Sequence, residues 1–361
     1  MANPIKNLQR TAADYRQMDA KDKKRFWVDG ILNNALYIIM AIFIIYTAFA
    51  NENFLKIGSI TNILSQVAAY LPIALGIGGC IVLTGTDLSA GRVVGLTAAI
   101  SVALQQVGDR RILSFLPSYP GWAGILIALV AVILVGGIIG LVNGFFVAKY
   151  KLHPFIVTLA TQLITYGLIV IFFMTNGNNG QPLSGLSPEY NNFITGKLIT
   201  FAGGKASLPM YVLYAVIFIA IMWFIWNKTT FGKNMFAVGS NAEAANVSGV
   251  NVFKTTMLVH TLAGVMYGLT GFIEGSRIGS ITTSTGLNYE CDAIAACVIG
   301  GVSFVGGTGK ISGIVLGVFI LRIIFVALNM LGIDPSMQNI IKGAIILVAC
   351  SLDMRKYLVR K

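Results

Sequence analysis

Residues 122–147 read W-A-G-I-L-I-A-L-V-A-V-I-L-V-G-G-I-I-G-L-V-N-G-F-F-V, without one acidic or basic side chain. A helix crossing about 30 Å of hydrocarbon needs about 20 predominantly apolar residues, so this stretch can span a bilayer unaided. Nine further apolar stretches lie around it, at 31–50, 67–83, 93–107, 155–175, 209–226, 253–274, 290–302, 311–330 and 338–352. Two of these, 93–107 and 290–302, are short for a full crossing. The expected fold is therefore an all-α polytopic membrane protein with about ten transmembrane helices, some short or broken. Eight or eleven crossings remain open on this reading.

Composition agrees. Of 361 residues, 56% are hydrophobic and only 11% charged, where a soluble domain carries about 25%, and the mean hydropathy is +0.77. A soluble enzyme, a nucleic-acid reader and a disordered chain are excluded. The net charge of +12 would suit a nucleic-acid surface, but its distribution does not. With a cytoplasmic N-terminus, 18 of the 26 Lys and Arg fall in the inner segments or at their edge, and six fall in the outer ones. That bias follows the positive-inside rule and predicts both termini in the cytoplasm. The chain then divides into a cytoplasmic tail at 1–30, a transmembrane body at 31–352 and a cytoplasmic tail at 353–361. The stretch 31–50 has no small-residue cleavage site after it, so it is expected to stay as an anchor. The longest outer loop, 176–208, is rich in Asn, Gly and Ser and suits a partner on the far side of the membrane.

Cys80, Cys291, Cys297 and Cys350 lie in or beside apolar stretches and form no C-x-x-C pair, so they read as small core hydrophobes. His153 and His260 have no sequence neighbours at metal-ligand spacing. No metal site, Ser-His-Asp set or paired-carboxylate arrangement is visible, and no enzymatic activity is expected. Gly136, Gly140 and Gly144 stand at four-residue spacing, as do Gly264 and Gly268, Gly271 and Gly275, and Gly313 and Gly317. Small residues on one helix face let membrane helices approach closely, which favours packing within the chain over self-association.

Three segments carry polar chemistry. The first, G-T-D-L-S-A-G-R at 85–92, breaks an apolar region and reads either as a turn at membrane depth or as a cytoplasmic turn in which Asp87 caps the next helix. In the first case Asp87 and Ser89 offer hydrogen bonds to a polar solute. The second, around 300–310, is rich in glycine, but Phe304 and Ile311 occupy positions where a Walker loop needs Gly and Ser or Thr. It is read as a tightly packed bend and not as a nucleotide site. The third, in the loop 227–252, reads Asn241-Ala242-Glu243-Ala244-Ala245-Asn246-Val247-Ser248-Gly249. Glu243, Ala244 and Ala245 favour a short helix, and Gly249 suits its C-terminal stop.

This E-A-A-x3-G pattern resembles the coupling helix of permeases from ATP-binding-cassette importers. Together with G-T-D-L-S-A-G-R at 85–92, N-K-T-x-F-G-K-N at 227–234 and Y-E-x-D-A-I-A-A-C at 289–297, it is similar to the monosaccharide branch of that family, which handles ribose and galactose. The resemblance covers roughly 55–355. It implies a permease subunit that binds no cofactor itself and works by alternating access, with galactose or a methyl galactoside as cargo. Implied partners are an ATPase subunit carrying ATP and Mg, a periplasmic sugar-binding protein and a second permease copy, in a bacterial inner membrane. By the same resemblance, Glu243, Ala244, Ala245 and Gly249 contact the ATPase.

For the substrate path, the chemistry of buried carboxylates and hydroxyls points to Asp87 and Ser89, then to Glu290 and Asp292, because an ionisable group within a membrane is a functional candidate. Glu274 and Arg277, one turn apart, read as a local pair; Arg322 and Lys342 are available to Glu274 or Asp292. The competing class is a stand-alone secondary transporter or channel coupled to an ion gradient, which would need no docking helix in loop 227–252.

Overall fold

The computed structural model describes residues 35–358 apart from 109–110, 118–120 and 205, together with Asp19 and Lys23. The expected N-terminal tail at 1–30 lies almost wholly outside the described residues. Among those described, thirteen α-helices form: α1 Ala35–Ala50, α2 Ile57–Val82, α3 Ala90–Gln105, α4 Gly121–Tyr150, α5 Pro154–Met174, α6 Pro188–Thr195, α7 Tyr211–Lys228, α8 Thr230–Ser240, α9 Ala242–Val247, α10 Val252–Ile278, α11 Tyr289–Ile299, α12 Ile311–Met330 and α13 Pro335–Leu358. A small antiparallel hairpin, β1 Lys197–Phe201 and β2 Ala206–Pro209, lies between α6 and α7.

Among the described residues, six helices are long and apolar enough to cross a membrane: α2, α4, α5, α7, α10 and α12. The expected spans 31–50, 93–107, 290–302 and 338–352 fall on α1, α3, α11 and α13, which do not meet that standard. Helix α2 is central, with 83% of its apolar window buried, whereas α5 and α7 bury only 22% of theirs and present Leu163, Ile171 and Val216 outward. A helix that is apolar all round fits a bilayer or a core, and here the two cases separate: α2 takes the core and α5 and α7 take the rim.

Glycine sets the seam between α4 and α10. A methyl group added at Gly264 would overlap the carbonyl oxygen of Gly136, one at Gly140 would overlap that of His260, and one at Gly268 that of Val132. The four-residue glycine spacing is therefore used for packing inside this chain, with backbone against backbone. Replacing Gly264 with leucine is expected to force these helices apart and cost about 1–3 kcal/mol or more, as overpacking does. A thermal-unfolding scan of the detergent-purified variant checks this; an unchanged midpoint would contradict the seam.

Helices α3 and α11 are the broken elements. At 16 and 11 residues they reach about 24 and 17 Å at 1.5 Å per residue, short of a full crossing. Their first turns meet in the interior, where Gly91 lies against Glu290 and the Gly286 carbonyl, and Gly95 lies against the Thr285 carbonyl. From there they diverge. Helix α3 runs along the second half of α10, with Thr97 and Ala98 against Gly271 and Val102 beside Gly275. Helix α11 runs along the first half of α12, with Ala296 on Gly317 and Gly300 on Gly313.

Candidate functional site

Two polar regions follow from this layout, one inside the bundle and one at the end where α8 and α9 lie. At that end, successive side-chain caps shape loop 227–252. Thr229 Oγ1 accepts from the Gly232 amide (3.2 Å), Asn241 Oδ1 from the Ala244 amide (2.9 Å) and Asn251 Oδ1 from the Lys254 amide (2.8 Å). Each satisfies one of the orphan donors at a helix start, so the segment folds as three consecutive short-linked helices. Helix α9 stops at Gly249, whose φ of +86° is natural for glycine. The Val250 amide donates to the Ala245 carbonyl (3.0 Å), the six-to-one bond of a Schellman stop.

Glu243, Ala244 and Gly249 are exposed on α9, and Val247 is 90% exposed. Ala245 is different: at 6% exposure it turns inward and seats the helix on its own chain. Behind α9, the end of α8 is locked to the bundle. The Val82 carbonyl, an unpaired acceptor at the end of α2, accepts from the Gly307 amide (2.9 Å). A methyl group at Gly239 would strike that same carbonyl, and one at Gly307 would strike Ser240. The glycine-rich 300–310 segment is thus a packed bend, as its glycine content suggests.

Inside the bundle the four expected path residues lie on either side of the start of α3, in two separate nests. In the first, Asp87 Oδ1 accepts from the Ser89 amide (2.9 Å) and hydroxyl (2.6 Å), and Oδ2 accepts from the Tyr267 hydroxyl (3.3 Å). Asn143 Nδ2 donates to Ser89 Oγ (3.0 Å), and its Oδ1 accepts from Thr161 (2.6 Å). Asp87 and Ser89 are fully buried. The turn holding them is interior, and it begins at Thr84, a β-branched residue at φ +63°, a backbone region disfavoured for that side-chain shape.

The second nest surrounds α11. Arg322 Nη2 donates to Asp292 Oδ2 (2.6 Å) and the Lys342 ammonium lies 2.7 Å from Oδ1. The Arg322 guanidinium also stacks 3.4 Å from the Tyr70 ring centre, and Tyr70 packs on Tyr289 at 4.6 Å. Tyr289 donates to Glu274 (3.3 Å), whose carboxylate holds Arg277 through two bonds of 2.8 and 2.7 Å. Asp292, rather than Glu274, is the partner of both spare cations. Glu290 stands apart: it is 4% exposed, and its Oε2 has no hydrogen-bond partner. Arg92 lies within Coulombic reach of it, stacks on Tyr166 at 4.6 Å and donates to the Thr283 carbonyl (3.2 Å).

Sequence reasoning passed over Tyr70, Asn143, Thr161 and Tyr267. Asn143 left a signal as the one amide in the charge-free run 122–147; the others did not. It also missed that Cys80 and His260 come together, 180 positions apart in sequence, with Sγ and Nδ1 separated by 3.6 Å.

The profile of a permease family described as "Branched-chain amino acid transport system / permease component" matches residues 59–350, a region holding both nests and the whole capped loop. The chain belongs to this family. Over 95% of its length the permease is 42% identical to the galactose/methyl galactoside import permease protein MglC of Escherichia coli K12, covering all of that protein. The corresponding protein of Haemophilus influenzae is 40% identical over the same share of the permease and over its own full length. The ribose import permease protein RbsC of Bacillus subtilis is 33% identical over 93% of the permease and 97% of its own length. No solved structure matches. The permease is a membrane transport component and not an enzyme.

Proposed function

We propose that this permease is the membrane subunit of an ATP-driven, binding-protein-dependent sugar importer whose cargo is galactose or a methyl galactoside. The observation that carries the reading is α9, a capped helix with an apolar residue, Val247, held 90% out into solvent. A carrier driven by an ion gradient has no use for such a helix, whereas a subunit driven from outside needs one.

In this reading Glu243, Ala244, Val247 and Gly249 face the ATPase, Ala245 anchors α9, and ATP and Mg belong to the ATPase alone. The ten-crossing arrangement counts the short helices α3 and α11 as one crossing each, with both termini in the cytoplasm of a bacterium and the body in its inner membrane. Loop 176–208 then faces the binding protein. Tyr166 is 43% exposed, Arg92 is half-buried, and the Lys342 side chain is 20% exposed; polar groups at membrane depth need water or protein over them. A second permease copy supplies that cover, and the path runs between the two.

Glu290 and Asp292 line the path beside the meeting point of α3 and α11, and Asp87 and Ser89 support its floor from the turn below. Transporters commonly place solute at such interrupted helices near the midplane, and an unpaired carboxylate oxygen on Glu290 is suited to a sugar hydroxyl.

Proteoliposomes holding the permease, its ATPase and the binding protein are the test. Uptake of labelled galactose is expected only with ATP and binding protein present. Uptake driven by an imposed proton gradient, with the permease alone, would overturn the reading in favour of a secondary transporter.

A further inference from the structure

Among the described residues, Glu274 is paired with Arg277, and Asp292 with Arg322 and Lys342; Asp87 takes part in none of these ion pairs. It is nonetheless fully buried, in a setting where an uncompensated carboxylate is costly. What faces it instead is a thiol and an imidazole. The ligand atoms of Cys80, Asp87 and His260 all lie within 4.8 Å of one another, and all three residues are buried.

We infer that Cys80, Asp87 and His260 form a binding site for a zinc-class divalent cation, which staples α2, the 83–89 turn and α10 together. A thiolate, an imidazole and a carboxylate are a zinc donor set; magnesium and calcium select oxygen ligands. Metal–sulfur and metal–nitrogen bonds of about 2.3 and 2.0–2.1 Å in a tetrahedron set the two ligand atoms about 3.5 Å apart. The observed separation of Sγ and Nδ1 is 3.6 Å. The supporting shell is in place as well. Ligating carboxylates are themselves hydrogen-bonded, and Asp87 is oriented by Ser89 on one oxygen and Tyr267 on the other. Asn143 in turn holds Ser89. The site is enclosed, so the cation enters when α2 and α10 part and then favours the state in which they are together.

The alternative is that Cys80 and His260 simply share a hydrogen bond. Cobalt(II), added to the intact tag-free permease assembly in nanodiscs, separates the two. Expected are a sulfur-to-cobalt charge-transfer band in the near ultraviolet and the visible bands of a tetrahedral ion, at one cobalt per permease chain. Cys80→Ser should abolish the charge-transfer band, while a variant with Cys291 and Cys350 both changed to serine keeps it. Tyr267→Phe, which removes a hydrogen bond from the carboxylate, should weaken cobalt binding by about 10-fold or more. A wild-type assembly without these bands, or bands that persist in Cys80→Ser, would overturn the proposal.

Discussion

Replacing Asp292 with alanine is expected to destabilise the folded permease by about 3–5 kcal/mol, the usual range when one partner of a buried ion pair is removed. The carboxylate is only 6% exposed and faces two cations at 2.6 and 2.7 Å. Without it, the Arg322 guanidinium and the Lys342 ammonium would stand together in the bundle with no anion between them. Arg322 has little slack, because its Nε is already buried without a partner. Thermal unfolding of the detergent-solubilised variant measures the loss. A triple variant, Asp292→Leu with Arg322→Met and Lys342→Met, removes all three charges and should recover most of the stability. If Asp292 lines the path, that recovery will not restore galactose uptake. A singly substituted Asp292→Ala chain as stable as wild type would mean that the triad is solvated.

Near-complete loss of ATP-driven uptake, with normal membrane insertion, is the expected result for Glu243→Lys and for Gly249→Val. Glu243 sits in the first turn of α9, where an acidic side chain suits the positive end of the helix dipole and a basic one opposes it. Gly249 acts through its backbone. A methyl group there would meet no neighbour, but its φ of +86° is one that a β-branched residue rarely adopts. Valine would therefore reshape the stop of α9 without disturbing the core. The check is uptake together with ATP hydrolysis in reconstituted assemblies: hydrolysis should no longer respond to the sugar-loaded binding protein. Undiminished uptake in both variants would remove α9 from the drive mechanism.

The membrane class and the helix in loop 227–252 were legible because each rests on local pattern. A charge-free run such as 122–147 needs no tertiary partner to be recognised, and Glu243 to Gly249 carries its own start and stop. The glycine spacing of α4 and α10 was legible for the same reason, since a four-residue repeat defines one helix face. The interior was legible only in part. Asp87, Glu290 and Asp292 announce themselves as charges in apolar surroundings, but their partners lie far along the chain. Nothing in the sequence near Asp292 selects Arg322 over Arg277, and nothing near Cys80 points to His260. The extent of the crossings was also obscured, because hydropathy scores length and apolarity, while α3 and α11 are short helices whose first turns pack against each other inside the bundle.

The shared carbonyl of Val82 has a consequence for how such importers diversify. It ties the end of α8, the end of α2 and the glycine bend into one joint that leaves no room for an added methyl group at Gly239 or Gly307. Beyond this joint, Glu243 and Val247 stand exposed on α9. On the docking role proposed for α9, lineages can re-tailor which motor they accept by altering Glu243 or Val247, while the packed joint behind it stays as it is.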